Sequence, residues 1–155
     1  MITDGTFEKA ARQAMDDLFS VEPLKSLKNR FNVHMVNAVS KNEDYFSGCS
    51  TVFSGVFGSG TALGGNNQKA LEYAKKAVKD ETKMDNVVVL VLMNSFRDGG
   101  TCYMLRPEND GVYAGGASVA YVTYKDVTAS GGVSNLASTV IHEVAGHGLG
   151  KLGDE

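Results

Sequence analysis

The sequence has 155 residues, of which 43% are hydrophobic and 21% are charged, a composition typical of one globular domain with an apolar core. The formal net charge of −3 and the lack of a basic stripe argue against a nucleic-acid-binding protein. No apolar run approaches the roughly 20 residues of a membrane-spanning helix, and the first residues lack the pattern of a secretory signal. We therefore expect a soluble chain that forms one domain over residues 1–155.

The first half of the chain predicts two helices and a strand. Apolar residues recur at helical spacing over residues 6–19 and 67–80. Residues 31–39 alternate apolar and polar side chains, which is typical of a strand, and His34 within them is interpreted as a structural strand residue. Residues 47–67 are rich in Gly and Ser but include several large apolar side chains, so we expect a folded loop there.

The second half predicts strands followed by a last helix. Residues 86–93 are apolar on both faces, as in a central strand, and their place after a helix favours a parallel crossover. Residues 118–124 alternate and predict a strand at a sheet edge. The last helix is predicted over residues 134–149, with Ser134 as its N-cap. Two further short strands are predicted at residues 101–105 and 112–113.

The cysteines and the glycine pairs do not form a known motif. Cys49 and Cys102 lie far apart and outside C-x-x-C spacing, which argues against a metal knuckle or a redox pair. One long-range disulfide and two buried free thiols both remain open. Gly64–Gly65 and Gly99–Gly100 do not have phosphate-loop spacing and are interpreted as turns.

The residues that carry chemistry lie in the predicted last helix, where residues 141–148 read Ile-His-Glu-Val-Ala-Gly-His-Gly. Zinc peptidases commonly place two histidines four residues apart as H-E-x-x-H, because residues at that spacing share a helix face and reach one ion. Here His142 and His147 are five residues apart. A regular α-helix would turn them about 140° away from each other.

A local widening of the helix to a π-type turn takes one extra residue and would return both imidazoles to one side. Gly146 makes that distortion easier. Glu143 directly follows the first predicted ligand and is expected to act as general base toward a zinc-activated water. The alternative is an ordinary helix with polar side chains. It is disfavoured because two of only three histidines fall within six residues and beside this glutamate.

Residues 142–155, His-Glu-Val-Ala-Gly-His-Gly-Leu-Gly-Lys-Leu-Gly-Asp-Glu, resemble the active-site segment of the bacterial IgA-peptidase family of zinc metallopeptidases. Members of that family carry H-E, a second His and then L-x-D-E. The H-E-x-x-G-H-G segment is also similar to dipeptidyl peptidase three, but no upstream block resembles that family. The upstream blocks that resemble the IgA-peptidase family are residues 19–25, 30–33, 38–41, 64–67 and 72–74.

The resemblance implies an α/β domain of metzincin-like type, with three layers, a mixed and mainly parallel sheet flanked by helices, and an active-site helix. It implies a zinc-dependent peptidase, an endopeptidase rather than an exopeptidase, that is secreted or held in a bacterial cell envelope. Asp154 is the expected third zinc ligand beside His142 and His147, unless that ligand lies beyond Glu155. The chain would then be a catalytic domain that is incomplete at its C-terminus.

The expected partner is a peptide or protein substrate, which would add as an extra strand along residues 118–124. Two alternatives to an active peptidase remain open. One is a non-catalytic peptide- or glycoprotein-binding domain with a vestigial or structural metal site, against which an intact Glu143 argues. The other is a truncated catalytic half that is inactive alone. The sequence does not predict the oligomeric state.

Overall fold

The computed structural model of the chain describes residues 3–42, 48–105, 116–124 and 135–153. In these ranges the fold is mixed α/β, as predicted, and no helix there is long and apolar enough to cross a bilayer. The helices are α1 (Thr6–Leu18), α2 (Leu24–Leu27), α3 (Asn67–Ala74), α4 (Leu136–Val140) and a π-helix (Ile141–Leu149), with 3-10 turns at Lys28–Arg30 and Glu81–Asn86. The strands are β1 (Val56–Phe57), β2 (Leu63–Gly64), β3 (Val88–Asn94), β4 (Gly100–Met104) and β5 (Ser118–Tyr124).

The core has two parts, one on each face of the three-stranded sheet. Alternate residues of a strand point to opposite faces, so β5 contributes Ala120 and Val122 to one part and Val119 and Tyr121 to the other. The first part is completed by α1, α2, α4 and the π-helix, and the second by α3 and the β1–β2 hairpin. Three layers result, with the predicted metal-binding helix against one face of the sheet.

The sheet has the strand order β3-β5-β4, which corrects two predictions. In the described ranges the predicted edge strand at residues 118–124 is the central strand, and the predicted central strand over residues 86–93 lies at an edge. Polar atoms of this central strand are hydrogen-bonded inside the protein: the Tyr121 hydroxyl donates to Asn67 Oδ1 at 2.9 Å, and Thr123 Oγ1 accepts from the Gly99 N–H at 3.1 Å. The β3–β5 pairing is parallel and the β4–β5 pairing is antiparallel, so the described sheet is mixed but not mainly parallel.

Residues 31–39 do not form the predicted strand. Their alternation is present, but in the described part of the chain no strand pairs with them, and Val33, Met35 and Val39 are 54%, 49% and 76% exposed. Alternation predicts a strand only where a neighbour supplies the ladder of hydrogen bonds. His34 is therefore an exposed residue of an irregular segment and not a strand residue.

The remaining elements lie close to their predicted positions. α1 matches residues 6–19, and β4 matches residues 101–105. α3 begins after Asn66, whose side chain accepts from the Lys69 N–H, and it ends at Ala74, six residues before the predicted end. The described part of the glycine-rich stretch forms the antiparallel β1–β2 hairpin, in agreement with a folded loop. The strand predicted at residues 112–113 and the N-cap predicted at Ser134 lie outside the described residues.

The π-helix packs closely on β3 through Gly148. A Cβ atom at this position would lie 2.8 Å from Val88 Cγ1 and 3.3 Å from the Glu143 carbonyl oxygen, whereas a Cβ at Gly146 would meet no atom within 4 Å. The two glycines of the same helix therefore differ. Gly148 is required for the approach of helix to strand, and Gly146 faces open space.

We predict opposite effects of alanine at these two glycines on the free energy of unfolding. Gly148→Ala should lower it by about 1–3 kcal/mol because the added methyl overpacks the contact with β3. Gly146→Ala should leave it unchanged or raise it by about 1 kcal/mol, since alanine favours helix without a steric conflict. Urea unfolding followed by circular dichroism measures both. Equal losses in the two variants would contradict the described packing.

Candidate metal centre

The last helix widens where the histidine spacing predicts it. α4 is a regular α-helix up to Val140, and the residues from Ile141 to Leu149 form a π-helix. Its end shows the five-residue hydrogen bond of this geometry, from the Gly150 N–H to the Ala145 carbonyl oxygen at 2.8 Å. In such a helix, residues five apart occupy one face, as residues four apart do in an α-helix. The predicted distortion is thus observed.

The widened turn brings the imidazoles of His142 and His147 together. Their Nε2 atoms lie 3.1 Å apart, and their rings are nearly perpendicular, with centroids 4.6 Å apart. His142 is exposed, whereas His147 is only 7% exposed. The pair therefore joins an exposed ring to a buried one at the protein surface.

A backbone contact fixes the orientation of His147. Its Nδ1 lies 2.6 Å from the carbonyl oxygen of Leu152. A carbonyl oxygen can only accept a hydrogen bond, so this contact requires the proton on Nδ1, and in the neutral ring the Nε2 lone pair then faces His142. Ligand histidines in metal sites have this second contact as a rule, because it sets the tautomer and the ring orientation.

The two nitrogens fit one zinc ion. Ligand nitrogens lie about 2.0–2.1 Å from zinc, and a tetrahedral angle then places two of them about 3.3 Å apart, close to the observed separation. Catalytic zinc takes three protein ligands. Residues 3–42, 48–105, 116–124 and 135–153 supply no third His, Cys, Asp or Glu to this pair. The predicted third ligand, Asp154, lies outside the described residues.

Glu143 follows His142 in the sequence, is buried and packs against the start of β4. It is 7% exposed, and a Cβ atom on Gly100 would lie 2.7 Å from Glu143 Oε1 and 2.5 Å from Thr139 Cγ2. Only a residue without a side chain leaves room for this carboxylate. The sequence predicts a turn at Gly100. A glycine at the first residue of a strand also marks places where another group approaches the backbone closely, and the turn prediction missed this signal.

A polar cluster lies next to Glu143 on the same face of the sheet and consists of Cys102, Ser118 and Lys151. The Lys151 Nζ donates to Ser118 Oγ at 2.6 Å and to the Gly116 carbonyl oxygen at 2.8 Å. Burial, reinforced by the negative charge of Glu143, raises the pKa of the Cys102 thiol to about 11. Burial lowers the pKa of the Lys151 amine. Both cysteines are free thiols, so the disulfide alternative is not realised.

The raised pKa predicts that Cys102 is a poor nucleophile in the folded chain. A thiol with a pKa of about 11 is almost fully protonated at pH 8, so iodoacetamide should alkylate it about 100-fold more slowly than an ordinary thiol. The rate should rise as the pH approaches 11. Mass spectrometry of the Cys102 peptide measures it, with the urea-unfolded chain as the control. Equal rates in the folded and unfolded chains would contradict the described burial.

The chain was compared with models of protein families, with curated proteins and with solved structures, and none of these comparisons found a match. Any functional conclusion therefore depends on the geometry of the site itself.

Proposed function

We propose that this chain is the catalytic domain of a zinc-dependent peptidase of metzincin-like type, related to the bacterial IgA-peptidase family and acting outside the cytoplasm of a bacterium. One observation carries the proposal: the His142 and His147 Nε2 atoms lie 3.1 Å apart on a π-helix, and a buried glutamate directly follows the first of them. An ordinary surface helix has no need for a widened turn that brings two imidazoles together. A metal bond offsets the cost of that turn.

His142 and His147 would hold the ion through Nε2, and Asp154 would complete the protein ligands. The Leu152 carbonyl oxygen already contacts His147, and Asp154 follows Leu152 by two residues. The donor set of two imidazoles and a carboxylate is one that catalytic zinc uses.

A zinc ion held there would lower the pKa of a bound water toward neutrality and polarise the carbonyl of a peptide bond. The chain's own contribution to proton transfer is Glu143. Its carboxylate would accept the proton of the attacking water and pass it to the nitrogen of the leaving amine. The carboxylate packs closely on Gly100 and is 7% exposed, and a general base has to be held in place by such packing.

The substrate would lie along β4 and not along β5, the strand that the sequence suggested. In the described part of the chain β4 is an edge strand beside the π-helix, whereas β5 has a partner on each side. Gly99 and Leu105 make their ladder bonds to β5, so the backbone groups of Gly100, Cys102 and Met104 face the other side of β4, where the Gly100 N–H donates to the Thr61 carbonyl oxygen at 3.2 Å. An extended peptide would pair with Cys102 and Met104, next to the glycine on which the Glu143 carboxylate packs.

Metal content is the first test. The purified chain, dialysed against metal-free buffer after loading with zinc, should retain about one zinc per chain, and His142→Ala should lose it because only one imidazole and one carboxylate would remain to hold the ion. Elemental analysis measures both. Zinc retained equally by the two proteins would contradict the site, and circular dichroism controls for folding of the variant.

Hydrolysis of a peptide library separates the enzyme from a binding domain. The zinc-loaded chain should cleave internal peptide bonds, and Glu143→Gln should keep its zinc and lose cleavage. A chain that binds one zinc and peptides without cleaving them, with Glu143→Gln indistinguishable from it, would instead support the non-catalytic binding domain.

Gly100→Ala should impair catalysis without loss of zinc. The added methyl displaces the Glu143 carboxylate, and a misplacement of about 1 Å costs roughly 100-fold in rate. Steady-state kinetics and metal content check this expectation. The Gly100→Ala/Thr139→Ser double variant is the control, because it removes the clash with the Thr139 methyl but keeps the clash with Glu143. Recovery of activity in the double variant would show that Thr139 packing, and not Glu143, is responsible.

A further inference from the structure

The geometry points to Lys151 as a positioning residue for the metal centre: its ammonium group binds the start of β5 and thereby holds the Leu152 carbonyl oxygen on His147. This inference rests on the proposed zinc site. Lys151 joins two parts of the fold. Its N–H donates to the His147 carbonyl oxygen at 3.1 Å, and its Nζ reaches Ser118 Oγ and the Gly116 carbonyl oxygen at 2.6 and 2.8 Å.

The backbone of Lys151 needs such a restraint. Its φ is +55°, in the left-handed region that residues other than glycine rarely adopt. This conformation reverses the chain directly after the π-helix, so that Leu152 N–H donates back to the Gly146 carbonyl oxygen at 3.1 Å and Leu152 O reaches His147 Nδ1 at 2.6 Å. Leu152 itself is 61% exposed, so packing of its side chain does not hold the turn.

The turn at Lys151 affects the proposed metal site because it sets the tautomer of His147. The Leu152 carbonyl oxygen requires the proton on Nδ1, which leaves the Nε2 lone pair for the ion. If the turn at Lys151 relaxes, this carbonyl moves away and Nε2 can carry the proton. The ring is then free to rotate and its lone pair no longer faces His142.

The same contacts do not make Ser118 a nucleophile with Lys151 as its base. A lysine 2.6 Å from a serine hydroxyl resembles a nucleophile and its base, but Ser118 is 0% exposed and its hydroxyl also lies 3.4 Å from the Gly148 carbonyl oxygen. No substrate carbonyl can approach a hydroxyl that is buried under the π-helix. The Lys151–Ser118 contact is therefore a structural anchor, and its effect is on the segment that follows the metal helix.

The test uses Lys151→Met, which keeps the aliphatic stem and removes the donors, and Lys75→Met, which removes a positive charge from an exposed position after α3. Zinc affinity is measured by competition with a chelating dye, and the His147 tautomer by imidazole ¹⁵N NMR of the metal-free chain. Lys151→Met should weaken zinc binding about 10-fold or more, as loss of an outer contact does in other sites, and shift His147 from the Nδ1–H form. Lys75→Met should have the same zinc affinity and the same His147 tautomer as the wild type. Lys151→Met with wild-type affinity and tautomer would overturn the inference.

Two further variants separate the ammonium group from the backbone conformation. Lys151→Gly adopts positive φ without strain, so its zinc affinity should be as low as that of Lys151→Met if the ammonium anchor matters. Wild-type affinity in Lys151→Gly would overturn the inference in favour of the backbone alone. Ser118→Ala removes one acceptor, should change both readouts in the same direction, and serves if Lys151→Met does not fold. The tautomer is read without metal, so a chain that binds no zinc would refute the proposed function and still test Lys151.

Discussion

The candidate site depends on one departure from regular helix geometry. His142 and His147 are five residues apart, and only the wider turn of the π-helix brings their Nε2 atoms to 3.1 Å. In a regular α-helix the same two side chains would point about 140° apart, and neither could share an ion with the other. The burial of Glu143, the turn at Lys151 and the contact of Leu152 with His147 all follow from where this widened turn directs the chain.

Two strands of the sheet hold the widened turn in place. Gly148 lets the helix approach Val88 of β3, and Gly100 of β4 leaves the space that the Glu143 carboxylate occupies. The chain beyond the helix is tied to β5 by Lys151. The candidate site is therefore built on packed secondary structure, with side chains restrained from several sides, which is the arrangement that positions a general base and metal ligands accurately.

The sequence predicted the centre of the site better than its surroundings. The histidine spacing predicted a widened helix, because a regular α-helix would turn the two rings about 140° apart. The strand order was not predictable in the same way, because it depends on pairing between distant segments, and the hydrogen-bond partners of Tyr121 and Thr123 lie on such segments. The carbonyl of Leu152 has no signature in a sequence, because every residue has one. The alternation over residues 31–39 is local information, whereas a strand requires a neighbour.

X-ray absorption at the zinc edge counts the imidazole nitrogens bound to the ion. We expect two imidazole nitrogens about 2.0 Å from zinc in the wild-type chain, and one in His147→Ala. A wild-type spectrum with one imidazole or none would contradict it, because the π-helix would then bring the two histidines together for a reason other than a shared metal ion.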